Sequence, residues 1–427
     1  MTSVKLNQEQ QLILGRVENS AEHHLITGRA GTGKSTLLHS LVASNAKVMA
    51  VCAPTGVAAV AIGGQTIHSL LRIPVGIVGT RDLGYVNPEA FRVLSRIETL
   101  VIDEISMVSA DLMDAIDQRL RQVRKKPEVP FGGIQIVMFG DPFQLSPVIA
   151  GEAERAFYQD HYRSPWFFDA RVWTQTAMNV SELETVHRQS DAEFRSILDC
   201  LRLGSVTTEI GNRINELGMR KPEDPELITL ASTNRSASKI NAVSLDKLPG
   251  KKQIFRAIIE GDFGSGSTFP ADQELALKPG AKVMFLRNDV GATGGPRFVN
   301  GTLGIVEQVS EELVINVDGQ SIRVEPVSWE KVRYEYKAAS KTLTQEVVAE
   351  FIQFPVRLAW AVTIHKAQGT TLESAIIDLG NRAFAPGQTY VAFSRLTSLD
   401  GLYLKRPLTP SDIFVDQDVL RFFAVQG

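Results

Sequence analysis

Apolar residues gather along the chain in short runs, each closed by a glycine or by the first turn of a helical pattern. That alternation predicts strands and helices packed as parallel α/β layers. The clearest runs are His23–Gly28, Lys47–Ala53, Leu100–Glu104 and Ile134–Asp141. A second series follows at Leu227–Ser232, Lys282–Leu286, the run ending at Thr363, and Ser374–Gly380, so two α/β domains in tandem are expected. From Arg297 to about Lys337 the texture changes to short alternating strands, with Asp318-Gly319 marking a type I′ hairpin turn. This stretch is expected to be a small β insertion in the second domain. Residues 72–97, rich in Pro74, Gly76, Gly79, Gly84 and Pro88, form an irregular excursion from the first.

Between the excursion and the fourth run, Leu112, Ile116, Leu120 and Val123 recur at helical spacing behind Ser109, which predicts an amphipathic helix with a serine cap. Arg119, Arg121, Arg124, Lys125 and Lys126 give it a basic end that complements the helix dipole, a bland reading preferred here to a DNA contact. Phe157, Tyr158, Trp166, Phe167, Phe168 and Trp173 are read as packing rather than as a base-stacking platform.

Composition narrows the class. The chain has 427 residues, 44% hydrophobic and 22% charged, a globular balance and a length for about three domains. With 45 basic and 48 acidic residues the net charge is −3, which excludes a surface coated in positive charge but leaves room for a local basic cleft. Cys52 and Cys200 lack His or Cys neighbours at ligand spacing, which argues against a zinc site or disulfide framework. The uncharged stretch Val48–Leu71 is broken by Pro54, Gly56, Gly63, Gly64, Gln65 and His68, so a buried strand and loops are expected instead of a membrane span. Glu9, Glu18 and Glu22 spoil a transit-peptide pattern, and a cytoplasmic protein is expected.

The chemistry starts at Gly28-Arg-Ala30-Gly31-Thr32-Gly33-Lys34-Ser35, a P-loop pattern lying between an apolar strand and a helical run. Such a match arises by chance roughly 0.02 times in a chain of this composition. Backbone N–H groups of the loop would surround phosphate oxygens, Lys34 would reach the β- and γ-phosphates, and Ser35 would ligate Mg²⁺. Leu100-Val-Ile-Asp103-Glu104 supplies the second half: Asp103 for the metal ion, and Glu104 to polarise an attacking water, so hydrolysis is expected. Gly140-Asp141-Pro142-Phe143-Gln144 follows the next strand and would bring Gln144 to the γ-phosphate.

The set resembles superfamily 1 helicases. In addition to the P-loop, Ala53-Pro-Thr55-Gly56-Val-Ala-Ala59, Gly64-Gln-Thr-Ile-His68-Ser69 and Ile102-Asp-Glu-Ile-Ser-Met107 resemble motifs of the first motor domain. Arg188-Gln189, Val362-Thr363-Ile-His365-Lys366-Ala-Gln368-Gly369-Thr370 and Gln388-Thr-Tyr-Val-Ala-Phe-Ser-Arg395 resemble motifs IV, V and VI. The segment from Asp111 through Pro130-Phe-Gly-Gly-Ile-Gln135 to Gln144 is similar to the signature segment of the Pif family. Pro142 and Ser146 depart from that family's pattern, where Phe and Pro are expected.

The resemblance implies an α/β fold of two tandem RecA-like P-loop domains, with ATP between them and single-stranded DNA across both. Expected boundaries are 1–178 for the first domain with a wedge-bearing insertion at about 72–97, and 179–296 with 353–427 for the second. An SH3-like β-barrel insertion is expected at 297–352. The implied activity is ATP-dependent 5′ to 3′ DNA unwinding with Mg²⁺, on single-stranded, forked or tailed duplex and G-quadruplex DNA, by a monomeric motor without a membrane partner. Carried over by motif, Gln10 would read adenine, and Thr36, Gln368 and Gly369 would complete the nucleotide site with the P-loop residues. Gln144 would sense the γ-phosphate, and Arg188 and Arg395 would act as arginine fingers. Thr55, Gly56, His68, Thr363, His365 and Lys366 would contact DNA, and Arg81 and Tyr85 are weak candidates for the strand-separating tip. Rival readings are a RecD-type or RNA-directed helicase, a DNA-dependent ATPase switch that does not unwind, and, least supported, a nucleotide kinase.

Overall fold

A computed structural model describes residues 6–79, 83–147, 149, 151–189, 191–224, 227–264, 269–289, 297–310, 312–337 and 342–426. The chain divides into two compact units, Met1–His187 with Glu330–Ala349 and Gln417–Gly427, and Arg188–Trp329 with Glu350–Asp416.

The first unit is built on β1 (His23–Gly28), β2 (Met49–Ala53), β3 (Gln65–Thr66), β4 (Thr99–Ile102), β5 (Gln135–Phe139) and β6 (Met178–Leu183). They form one sheet in the order β3-β2-β4-β5-β1-β6, parallel at every junction. Parallel strands bury both faces under crossover helices, which is why the central strands β2, β4 and β5 are buried almost throughout rather than alternating, whereas edge strand β6 is largely half-exposed. Ile13, Ile26, Leu37, Leu41, Val51, Val101, Val137 and Phe139 form its main core. Helices α1 (Gln8–Asn19), α2 (Lys34–Ser44), α3 (Gly56–Ala61), α4 (Ile67–Leu71), α5 (Pro88–Leu94) and α6 (Ala110–Arg124) follow in chain order. Ser109 caps α6 by accepting from Leu112 N–H at 3.2 Å; Ile116, Leu120 and Val123 are buried, as the periodicity predicts, and Leu112 in the first turn is half-buried.

In the second unit, strands Thr229–Ala231, Ala361–Thr363, Ala375–Asp378 and Leu402–Leu404 form a smaller parallel sheet, with Thr229–Ala231 between the second and third. Two α/β units therefore occur in tandem. Lys282–Phe285 is the exception among the expected strands. It pairs antiparallel with Leu303–Val309 and Val356–Leu358 inside a five-stranded sheet. All four of its residues are buried, so its apolar run does not distinguish the two kinds of sheet. In the same sheet Leu313–Val317 and Gln320–Val324 are joined by Asp318 and Gly319 at φ +49° and +84°, the paired positive φ of a type I′ turn.

Three boundaries differ from those read in the sequence. β6 runs past residue 178 because it pairs with β1 from Met178 to Leu183. Strands Val327–Lys337 and Thr342–Gln353 belong to a separate three-stranded sheet, so residues 297–352 divide between two sheets. Residues 330–349 and 417–427 fall within the first unit, where side-chain contacts hold them. Tyr334 Oη accepts from Val51 N–H at 3.0 Å, Gln65 Nε2 donates to Val332 O at 2.8 Å, and Phe422 stacks on Phe168.

Candidate nucleotide and nucleic-acid site

The parallel order gives every strand of the first sheet the same direction, so the loops after their carboxyl ends share one edge. The P-loop follows β1, Asp103 and Glu104 follow β4, and the Gln144 loop follows β5. These three strands are neighbours in the order β4-β5-β1, although other strands separate them in sequence.

Within the P-loop, Lys34 Nζ donates to the carbonyl oxygens of Gly28 at 2.6 Å and Arg29 at 2.9 Å, and Thr32 Oγ1 donates to Arg29 O. Gly33 caps α2 at φ +83°, and a Cβ there would lie 2.5 Å from Gln10 Nε2. Only glycine fits that left-handed, crowded position. Gln10 is buried and donates to the carbonyls of Thr32 at 3.3 Å and Gly33 at 3.4 Å, while its Oε1 closes a capping box with Asn7. Ala30 is buried, Gly31 O accepts from His187 N–H at 2.9 Å, and Ser35 and Thr36 lie in the first turn of α2.

Burial pushes the Asp103 carboxyl above the ordinary carboxylate range, opposed by the Glu104 backbone N–H and the Lys34 charge. Glu104, two residues beyond the end of β4, adopts φ +50°, ψ +47°, a left-handed conformation unusual for a non-glycine residue. A strained backbone at this residue is the kind of feature that functional sites retain. Gln144 sits in a turn around buried Asp141, which accepts from Gln144 N–H at 2.9 Å and from its Nε2 at 3.4 Å.

The remaining candidates lie in the second unit. Arg188 donates to Ser394 O at 3.1 Å, and burial lowers its guanidinium pKa, opposed by Tyr390. Arg395 is buried and donates to Val391 O at 3.2 Å and Ser394 Oγ at 2.9 Å. Gln189, to which the motif reading gave no role, donates through one nitrogen to Ser394 O at 3.2 Å and Leu396 O at 3.0 Å. It thereby brackets the backbone of Arg395. Gln368 and Gly369, the latter at φ +79°, follow the turn after Thr363.

Two of the DNA candidates share one local device. Thr55 caps α3 by accepting from Ala58 N–H at 3.2 Å, and Thr363 Oγ1 accepts from Lys366 N–H at 3.3 Å. A hydroxyl that accepts in this way also carries an O–H donor. Gly56 begins α3, His68 Nδ1 bonds Ile73 O at 3.2 Å, and His365 and Lys366 are exposed.

The three arginines of the basic run on α6 serve structure, while Lys125 and Lys126 just beyond it are exposed. Arg119 is fully buried and donates to Arg72 O, Leu83 O and Gly84 O at 2.8–3.0 Å, while Arg121 pairs with Asp117 and Arg124 donates to Ser95 O. Asp111 accepts from Val78 N–H and Gly79 N–H, both at 2.7 Å. The helix thus fastens the irregular excursion on both sides of residues 80–82. Arg81 lies outside the described residues, whereas Tyr85 is 84% exposed. Asp111 and Arg119 both lie in the segment from Asp111 to Gln144 that resembles the family signature, although the motif reading gave neither a role.

A glycine-rich loop between strand and helix, with an Asp-Glu pair after a parallel strand one removed from it in the same sheet, defines a P-loop ATPase. A second α/β unit carrying the VTIHKAQGT and QTYVAFSR segments makes it a helicase motor. The profile of PIF1-like helicases matches residues 5–211. The ATP-dependent DNA helicase Pif1 of Bdellovibrio bacteriovorus is 32% identical over 98% of this chain and 92% of the relative. Relatives from Danio rerio and Homo sapiens are longer, and this chain spans 64% of each. The structure of Bacteroides sp Pif1 in complex with ADP-AlF4 superposes with a TM-score of 0.90 at 35% identity, covering 99% of this chain and 98% of that one. The chain belongs to the PIF1-like helicase family, with tandem RecA-like domains, and is by class an ATP-dependent DNA helicase.

Proposed function

We propose that the chain translocates 5′ to 3′ on single-stranded DNA and opens forked or tailed duplex, using ATP with Mg²⁺. The observation that carries this reading is the phosphate cradle, in which Lys34 turns back on the carbonyls of its own loop and Asp103 and Glu104 directly follow β4. On this reading Lys34 and the N–H groups from Gly28 to Thr36 hold the phosphates, and Gln10, Gln368 and Gly369 complete the nucleotide contacts. Glu104 takes a proton from the attacking water, and Gln144 meets the γ-phosphate. Arg188 and Arg395 supply positive charge to the transition state.

Asp103 and Ser35 fit a magnesium ion, since the donors are hard oxygens and Mg²⁺ in phosphate sites keeps only one or two protein ligands. Burial alone pushes the Asp103 carboxyl up, the situation a bound cation reverses. When bound, the ion neutralises charge on the β- and γ-phosphate oxygens.

Thr55, Gly56 and His68 in one unit, and Thr363, His365 and Lys366 in the other, serve as sequence-independent DNA contacts. Excursion 72–97 is the strand-separating element, and G-quadruplex DNA is a further substrate. The protein acts as a monomer in the cytoplasm; no helix among the described residues is long and apolar enough to cross a membrane. The test is ATP-driven unwinding of 5′-tailed against 3′-tailed duplex, with ATPase measured with and without oligonucleotide. Unwinding of the 5′-tailed substrate and DNA-stimulated hydrolysis are expected. Hydrolysis indifferent to DNA would overturn the motor reading, and opening of the 3′-tailed substrate alone would overturn the polarity.

A further inference from the structure

The Gln144 loop leaves β5 at Gly140 and closes around buried Asp141. Phe143 N–H and Gln144 Nε2 both bond the Asp141 carboxylate, at 3.2 Å and 3.4 Å. These bonds shape the backbone of the turn, but they do not anchor it to the rest of the unit. The Phe143 side chain, only 4% exposed, provides an anchor. Its ring stacks on Phe423 with centroids 5.1 Å apart and planes 28° apart.

Phe423 belongs to the C-terminal helix, Gln417–Gln426. Its neighbour Phe422 stacks on Phe168 at 4.4 Å and meets Trp173 edge-on at 5.6 Å. Phe168 in turn stacks on Trp166, which is fully buried. Successive helical residues point about 100° apart. One ring of this helix is therefore seated in the aromatic core of the first unit while the next touches the loop beside the nucleotide residues. Pro142 stands where the family pattern has a second aromatic residue, which leaves Phe143 as the only ring of the Gly140–Gln144 segment.

We infer that Phe423 is a positioning residue for Gln144: through the Phe143–Phe423 stack, the C-terminal helix holds the loop from which Gln144 meets the γ-phosphate. This rests on the proposed role of Gln144. Phosphoryl transfer depends on placement, and a shift of about 1 Å can cost up to about 100-fold in rate. A loosened loop lowers turnover while leaving the P-loop to bind ATP.

The test compares DNA-stimulated ATP hydrolysis by Phe423→Ala, Gln144→Ala and the double variant. Phe423→Ala is expected to lose about tenfold in kcat with KM for ATP within about twofold. Phe423→Tyr, which keeps the ring, is expected to restore most of the loss. In the double variant kcat is expected to equal that of Gln144→Ala, because a residue acting through Gln144 has nothing left to position. If Gln144→Ala is impaired but the two losses multiply, or if Phe423→Ala turns over at the wild-type rate, the positioning role is overturned and the Gln144 reading stands. If Gln144→Ala is fully active, the Gln144 reading fails and the inference fails with it. Should Phe423→Ala not fold, Phe423→Leu keeps side-chain bulk without the ring, and the same comparisons are made with it.

Discussion

Lys34 Nζ donates to Gly28 O at 2.6 Å, so the P-loop lysine spans the mouth of its own loop. A phosphate group entering the loop replaces two carbonyl acceptors with charged oxygens, a stronger charge-assisted pairing. Lys34→Ala is expected to lower ATP turnover at least 100-fold, whereas Glu104→Gln is expected to lower kcat by a similar factor and leave ATP binding intact. Nucleotide binding by titration and steady-state hydrolysis separate the two. Retained unwinding in Glu104→Gln would show that another group activates the water.

Gln189 holds the carbonyls on either side of Arg395 with one amide nitrogen, and its Oε1 is buried without a partner. Only its donor end carries structure, so Gln189→Leu keeps the volume and removes the clamp. A kcat loss of about tenfold with little change in KM for ATP is expected. Wild-type kcat in that variant would remove Gln189 from the machinery.

Arg119→Met strips donors from the carbonyls of Arg72, Leu83 and Gly84, at a cost of about 3 kcal/mol in stability. The excursion loses its seat on α6, so unwinding is expected to fall further than DNA-stimulated ATPase does. Denaturant midpoints and the ratio of base pairs opened to ATP consumed check the two parts. Equal losses in both activities would argue against a strand-separating role for residues 72–97.

His23 Nδ1 accepts from Ile136 N–H at 3.0 Å, a bond available only to the neutral ring, and burial lowers the pKa of both His23 and His24 below the ordinary histidine value of 6.5. A depressed folded-state pKa means the unfolded chain takes up protons first, so the contribution is complete above pH 6.5 and is lost as pH falls below it. Tm is expected to drop between pH 7.5 and pH 5.5. His23→Asn, whose amide oxygen can accept from Ile136, is expected to show a shallower drop. Identical slopes for the two proteins would exclude His23 as a source.

The P-loop pattern Gly28–Ser35 and the Asp103-Glu104 pair were legible because each is a contiguous run of residues, and the structure sets both after strands of one parallel sheet. The supporting residues were not, since their partners are remote. Tyr334 bonds Val51 from 283 positions away, and Gln189 reaches Ser394 across 205. Lys282–Phe285 misled because full burial erases the alternation that separates antiparallel from parallel strands. The basic run on α6 was ambiguous for a different reason: spacing cannot tell a guanidinium facing solvent from one buried against carbonyls, and Arg119 is the latter.

By itself the sequence determined the class of chemistry: a P-loop, an Asp-Glu pair after a strand, and motor motifs in family order, all carried by local patterns. The tertiary structure decided their arrangement. In chain order Thr55 and His68 stand between the P-loop and Asp103, but the sheet order β3-β2-β4-β5-β1-β6 sorts them apart. His68 and Thr55 follow β3 and β2 at one end, and Asp103, Gln144 and the P-loop follow β4, β5 and β1 toward the other. Strand order is set by which apolar faces pack and which backbones pair, long-range choices that no contiguous stretch of residues encodes.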